Sequence, residues 1–296
     1  MKLLFATPAR ILSCVVLFFL PALGIAGDGT ASGATVSARE ASATAESAGS
    51  STTPDPAAAL LPGLSRRKPL VTTAKLTTGV ASDFQLTLGG EFSDGLAQQN
   101  GLVVDLKNLV RNGSTVRLTL WDTIDTGDRG HDWIGAVNYL QPLKSWESGS
   151  LTLNLGLHRW QFPSVLTGGT DTVVDSGLIW SQSGPIGFTL DANVKTLATS
   201  GTRRGVGGQI YYFRGTTAHP LRRSGKFSLA VIHGPSYTYA NRFYGCRGSR
   251  VFRYEAGLSL KHGSFGAEAM FRPQLAFQNR IPEHVFWSAG ISYVLW

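Results

Sequence analysis

The sequence predicts an all-β chain, a transmembrane antiparallel up-and-down β-barrel of about 12 strands. Three observations carry this. From residue 70 onward, short segments alternate apolar and polar residues with a period of two. No long helical stripe competes with that pattern. The apolar faces consist of Leu, Phe, Val and Ala, while the opposite faces carry Arg, Lys, Glu and Asp in mid-strand. Successive side chains of a strand point to opposite faces, so the alternation marks a sheet between two different environments. A soluble barrel would have to bury those mid-strand charges, which is costly. A membrane barrel turns them into its lumen and gives the apolar face to lipid.

The elements follow in order. Lys2 and Arg10 precede the apolar run ILSCVVLFFL, and Pro21 and the small residues Gly24-Ile25-Ala26 come after it. A charged start, an apolar centre and a small-residue site predict a cleaved secretory signal over residues 1–26. The run falls short of the roughly 20 apolar residues of a membrane-spanning helix. Cleavage would remove Cys14 and leave Cys246 alone, so the barrel must hold without an intramolecular disulfide. Residues 27–69 are rich in Ala, Ser, Thr and Gly and read as a disordered tether, because they cannot bury enough apolar surface to offset their ordering entropy. Residues 70–296 form the barrel.

Candidate strands are 71–92, 101–110, 114–125, 131–141, 149–162, 170–182, 185–199, 204–214, 224–239, 249–261, 264–278 and 283–296. Several exceed the ~5–6 residues of a soluble strand and reach the ~9–11 of one that crosses a membrane tilted. The phases are clear. Val116, Leu118 and Leu120 oppose Arg117, Thr119 and Trp121; Leu153, Leu155 and Leu157 oppose Asn154, Gly156 and His158; Phe188 and Leu190 oppose Thr189 and Asp191. Asn112-Gly113, Ser183-Gly184 and His262-Gly263 predict tight turns, the dipeptides that accept positive φ. The ninth connection reads as long, from about Gly234 to Ser249. An even strand number puts both barrel termini at one end, which in outer-membrane barrels is the periplasmic end with the short turns. Trp121, Trp133, Trp160, Trp180 and Trp287, near strand ends, suit interfacial girdles.

The last stretch, HVFWSAGISYVLW, sets Val285, Trp287, Ala289, Ile291, Tyr293 and Leu295 against Ser288, Gly290 and Ser292. A terminal strand of this kind is expected to pair with the first, because closing the sheet removes edges whose unpaired N–H and C=O groups are costly in lipid. A C-terminal aromatic strand is also what the barrel assembly machinery of Gram-negative bacteria recognises, although Trp296 stands out of phase with the apolar row.

GVASDFQLTLGGEFSDG (79–95), WIGAVNYLQPL (133–143), LTLNLGLHRWQFP (151–163), DTVVDSGLIWSQSGPIGFTLDANVK (171–195) and the closing FWSAGISYVLW resemble, in that order, the TorF-like group of small Gram-negative outer-membrane porins. The resemblance covers residues 71–296. It implies a barrel of this size with a transport role, and it brings no catalytic or ligand residues.

The functional expectation is a passive pore or a structural envelope protein in the bacterial outer membrane. Its partners would be outer-membrane lipid and lipopolysaccharide, the barrel assembly machinery, and small solutes or ions. Lumen-lining candidates are Lys107, Arg117, Asp191, Lys195, Arg253, Glu255, Glu268 and Arg272. Adding Lys261 and Asp105 gives six positive against four negative charges, hence a weak preference for anions. The alternative is an outer-membrane lipid hydrolase, of the lipid A deacylase or phospholipase type. His262 and Ser264 have the spacing that the deacylases use, but they fall in a predicted periplasmic turn, away from outer-leaflet lipid. His158, His219, His233 and His284 are scattered, so no metal site and no cofactor is expected. Gly205-Val206-Gly207-Gly208 lacks the Lys-Ser/Thr and helix of a phosphate loop. The formal charge of +8 is dispersed rather than gathered in an aromatic-interleaved patch, which argues against nucleic acid.

Overall fold

The computed structural model describes residues 68–82, 96–125, 131–161, 170–201, 206–278 and 285–295. The predicted signal, nearly all of the tether and Trp296 lie outside them. Within them the chain forms strands β1 (Val71–Ala81), β2 (Ala97–Lys107), β3 (Thr115–Asp125), β4 (His131–Trp146), β5 (Gly149–Gln161) and β6 (Thr170–Gln182), then β7 (Gly187–Thr199), β8 (Gln209–Ser224), β9 (Phe227–Phe243), β10 (Cys246–His262), β11 (Phe265–Ala276) and β12 (Val285–Val294). Each strand pairs antiparallel with its sequence neighbour, and β1 pairs with β12, giving one closed barrel.

Closure depends on glycine at the seam. The β1–β12 ladder runs from Lys75 opposite Val294 to Ala81 opposite Ser288, with Gly79 facing Gly290. A Cβ on Gly79 would stand 2.8 Å from the Gly290 Cα, so the two backbones approach only because neither residue carries a side chain there. At the end bearing Val71 and Val294, called here the terminal end, the connections are short. Gly113 and Gly263 sit in them at φ of 82° and 60°, a conformation glycine adopts without a Cβ penalty.

The predicted boundaries shift at several strands: β2 lies over Ala97–Lys107 rather than 101–110, β4 runs on to Trp146, and the largest differences fall at β8 and at the β9–β10 connection. The eighth, expected over 204–214, spans Gln209–Ser224, because a register shift between Pro220 and Arg222 carries the ladder past the proline. The ninth connection is not long. β9 and β10 continue to a two-residue turn, Tyr244-Gly245, because Tyr237, Thr238, Tyr239 and Ala240 keep the pleat and pair with β8 and β10.

The two faces are chemically opposite. Leu155, Leu178, Leu258, Phe271 and Trp287 stand outward and exposed, whereas Asp175, Lys195, Arg214, Arg253 and Glu255 are buried inside. Apolar outside and charged inside is the reverse of a soluble core.

Candidate functional site

The inward face is organised in layers along the barrel. At the distal end, away from the termini, Trp160 near the end of β5, Leu197 of β7, Ile210 of β8 and Phe243 of β9 close into an apolar cluster with Ile134, Val173, Ala97 and Ala240. Trp160 is 1% exposed and meets the Phe243 ring edge to face at 6.3 Å. The alternation that placed these residues on the same face as charges was legible. Their apolar character near the distal strand ends was assigned to girdles instead. Trp121 and Trp160 thus belong to the interior and not to an interfacial girdle, since each shares its strand's inward phase, with Arg117 and with His158. Trp133, Trp180 and Trp287 face outward.

Below this cluster lies an ionic layer in two halves. In one, Lys195 Nζ lies 3.2 Å from Asp175 Oδ2, and His158 Nε2 lies 3.7 Å from the same oxygen. Asn154 donates to Asp175 at 3.2 Å, and Asn138 stands 3.1 Å from His158 Nε2. Lys195 also caps the Tyr212 ring at 6.0 Å from its centroid. In the other half, Arg214 pairs with Glu255, Arg272 Nε lies 3.8 Å from Glu255 Oε1, and Arg253 donates to Gln274 at 2.6 Å while stacking over Phe286. Buried charges persist only when partnered, and each of these has a charged or hydrogen-bonding partner, although Asp175 Oδ1 is left without a hydrogen bond.

Towards the terminal end the interior opens. Arg117 holds Asp105 in a two-pronged ion pair at 2.7 and 2.8 Å, yet the two side chains are 40% and 26% exposed, whereas in the ionic layer Lys195, Asp175, Arg214 and Glu255 are all below 10% and Arg272 is at 23%. Arg117 faces inward, as do Thr77 and Trp121, the two side chains that a Cβ on Gly101 would meet.

Of the residues singled out by sequence, Lys195, Arg253, Glu255 and Arg272 enter the ionic layer, and Asp191 accepts a hydrogen bond from Asn193 at 2.6 Å. Glu268 shares the inward phase of Arg272 and is half-buried, opposite Ser259 and Gly290. Lys107 ends β2, exposed and outside the network. Asp175, Arg214 and Lys75 were missed, although the same period-two phase contains them: Asp175 falls in step with Asp171 and Val173, and Lys75 with Thr77. His262 ends β10 and Ser264 lies in the exposed β10–β11 turn, both at the terminal end.

A closed barrel with a lipid-compatible wall and a charged interior defines the chain as a membrane-spanning barrel of the bacterial outer-membrane class. No protein-family model and no curated protein sequence matches it. Solved structures similar to it include the NanC porin (TM-score 0.45, 11% identity, covering 75% of this chain and 98% of that one). An outer membrane channel from Pseudomonas putida F1 is similar as well (0.45, 11%, covering 80% and 100%). So is LpxR from Salmonella typhimurium (0.43, 8%, covering 74% and 99%). At these scores the likenesses carry no functional argument.

Proposed function

We propose that this chain is a non-enzymatic outer-membrane pore of the porin kind, akin to the TorF-like group, shut in the state described and weakly anion-preferring when it conducts. The observation that supports this best is the graded interior. A barrel serving only as a scaffold gains nothing from a roomy, charged vestibule, yet Arg117 and Asp105 stand inside with 40% and 26% of their side chains exposed. That vestibule ends against the buried ionic layer and the apolar cluster beyond it, the kind of constriction that gates by excluding water. On this reading the terminal end faces the periplasm, and the outer wall meets lipid and lipopolysaccharide. His262 and Ser264 then lie on the side away from outer-leaflet lipid, which disfavours the hydrolase.

Planar-bilayer recording of the folded full chain in a salt gradient tests the proposal. Brief, infrequent openings with an anion-selective reversal potential are expected. A cation-selective reversal overturns the preference. Silence from the wild type and also from Trp160→Ala, which hollows the apolar cluster, overturns the pore in favour of a structural envelope protein.

A further inference from the structure

Given a lumen that conducts, we infer that the tip of the β9–β10 hairpin is its gate, a cover folded across the distal mouth and latched to β6 by Asp171. Phe243, the last residue of β9, is 1% exposed and packs against Trp160 of β5. In the barrel order β5 lies four strands from β9, so this contact reaches across the lumen and not along the wall. The next residue, Tyr244, packs edge-on against Phe243 at 4.9 Å and donates its hydroxyl to Asp171. Asp171 is buried and also accepts the Gly201 N–H at 2.9 Å, so one carboxylate holds both the hairpin tip and the start of the β7–β8 connection.

The backbone at the tip opposes this arrangement. Arg242 and Tyr244 have φ of 62° and 48°, values that L side chains adopt at a cost. Register shifts between Cys246 and Arg247 and between Ser249 and Val251 bend the adjoining strand. A strained tip, pinned across the mouth by the Tyr244–Asp171 hydrogen bond and the Phe243 insertion in addition to its ladder with β8, exchanges with a second, less populated arrangement. When the latch lets go, Phe243 leaves the apolar cluster and the strained residues relax. The vestibule then reaches the distal side.

The test uses the full chain with Cys14→Ser, so that half-buried Cys246, which packs beside the apolar cluster, is the reporter thiol. Labelling of Cys246 by a maleimide is timed on heat-modifiable, folded protein, alongside bilayer recording. Tyr244→Phe removes only the latch hydroxyl and is expected to speed labelling about tenfold, the scale of one hydrogen bond to a charged partner, and to make openings frequent. Arg242→Gly accepts positive φ and is expected to slow labelling about fivefold. Unchanged rates in both variants overturn the gate. If Trp160→Ala conducts freely while Tyr244→Phe keeps the infrequent openings of the wild type, the gate is wrong and the pore reading stands. If neither conducts, the pore reading fails and the gate with it.

Discussion

Lys195 and Asp175 form an ion pair at 3.2 Å in the middle of the barrel, with 4% and 3% of their side chains exposed. Removing one partner of such a pair strands a charge, at a cost of about 3–5 kcal/mol, whereas replacing both with apolar residues of similar volume is far cheaper. Asp175→Leu alone should therefore lower the urea midpoint in micelles much more than Asp175→Leu with Lys195→Met. Equal losses would show that the pair does not act as a unit.

The opposite faces of one hairpin make a second test. Leu178 is 43% exposed on the outer wall, and arginine there should cost roughly 2–4 kcal/mol if it lies near the membrane midplane. Thr189 faces inward near the terminal end, half-buried, so Thr189→Arg should be tolerated with a loss under half as large. The yield of heat-modifiable folded protein in lipid vesicles measures both. A Thr189→Arg loss as severe as that of Leu178→Arg would contradict the assignment of faces.

Topology can be read with thiols. In a Cys246→Ser background, cysteines at Asn112 and Ser183, both in short terminal-end connections, should resist an impermeant reagent in intact cells. One at exposed Arg247, beside the distal turn, should label. The reverse pattern would invert the barrel in the membrane.

These faces were legible in the sequence because a period of two is a strong signal and a one-residue slip would flip every side chain. Leu151 to His158 needed no other information. What alternation cannot say is which inward residues meet. Asp175 and Lys195 are paired only through the β6–β7 register, and Arg272 reaches Glu255 only through β10 and β11. Gly234 to Phe243 was harder still, since Gly234, Pro235, Ser236 and Asn241 imitate a loop while the ladders to β8 and β10 hold the stretch as strand. Phe243 and Trp160 are far apart in sequence, and their meeting is a property of the closed ring.

Interior charge gives the last prediction. From the vestibule through the ionic layer, Lys75 and Arg214 join the inward cations, Lys107 leaves them, and Asp175 joins the carboxylates, which makes seven against five where the sequence pattern predicts six against four; buried Asp132 and Asp171 add two more carboxylates beyond that layer, at the distal end. Mixed signs largely pair, so the surplus is small. Arg117→Glu, which reverses the most exposed cation of the ionic pairs, should turn a Tyr244→Phe channel from weakly anion-selective to cation-selective in low salt. The difference should fade near 1 M salt, where the screening length is about 3 Å. An unchanged reversal potential would place the ion path elsewhere.

The glycine-lined seam also sets an order of events. Every other ladder joins neighbours in sequence through a connection that can close early, but Gly79 meets Gly290 only after the ten intervening strands have been laid down. Ring closure therefore bears the largest loop entropy of the fold and comes last, so the nascent sheet must survive with two open edges until β12 arrives. A chain released before Val285 would have hairpins in hand and no way to finish, and escort by a chaperone matters most for this protein in that interval.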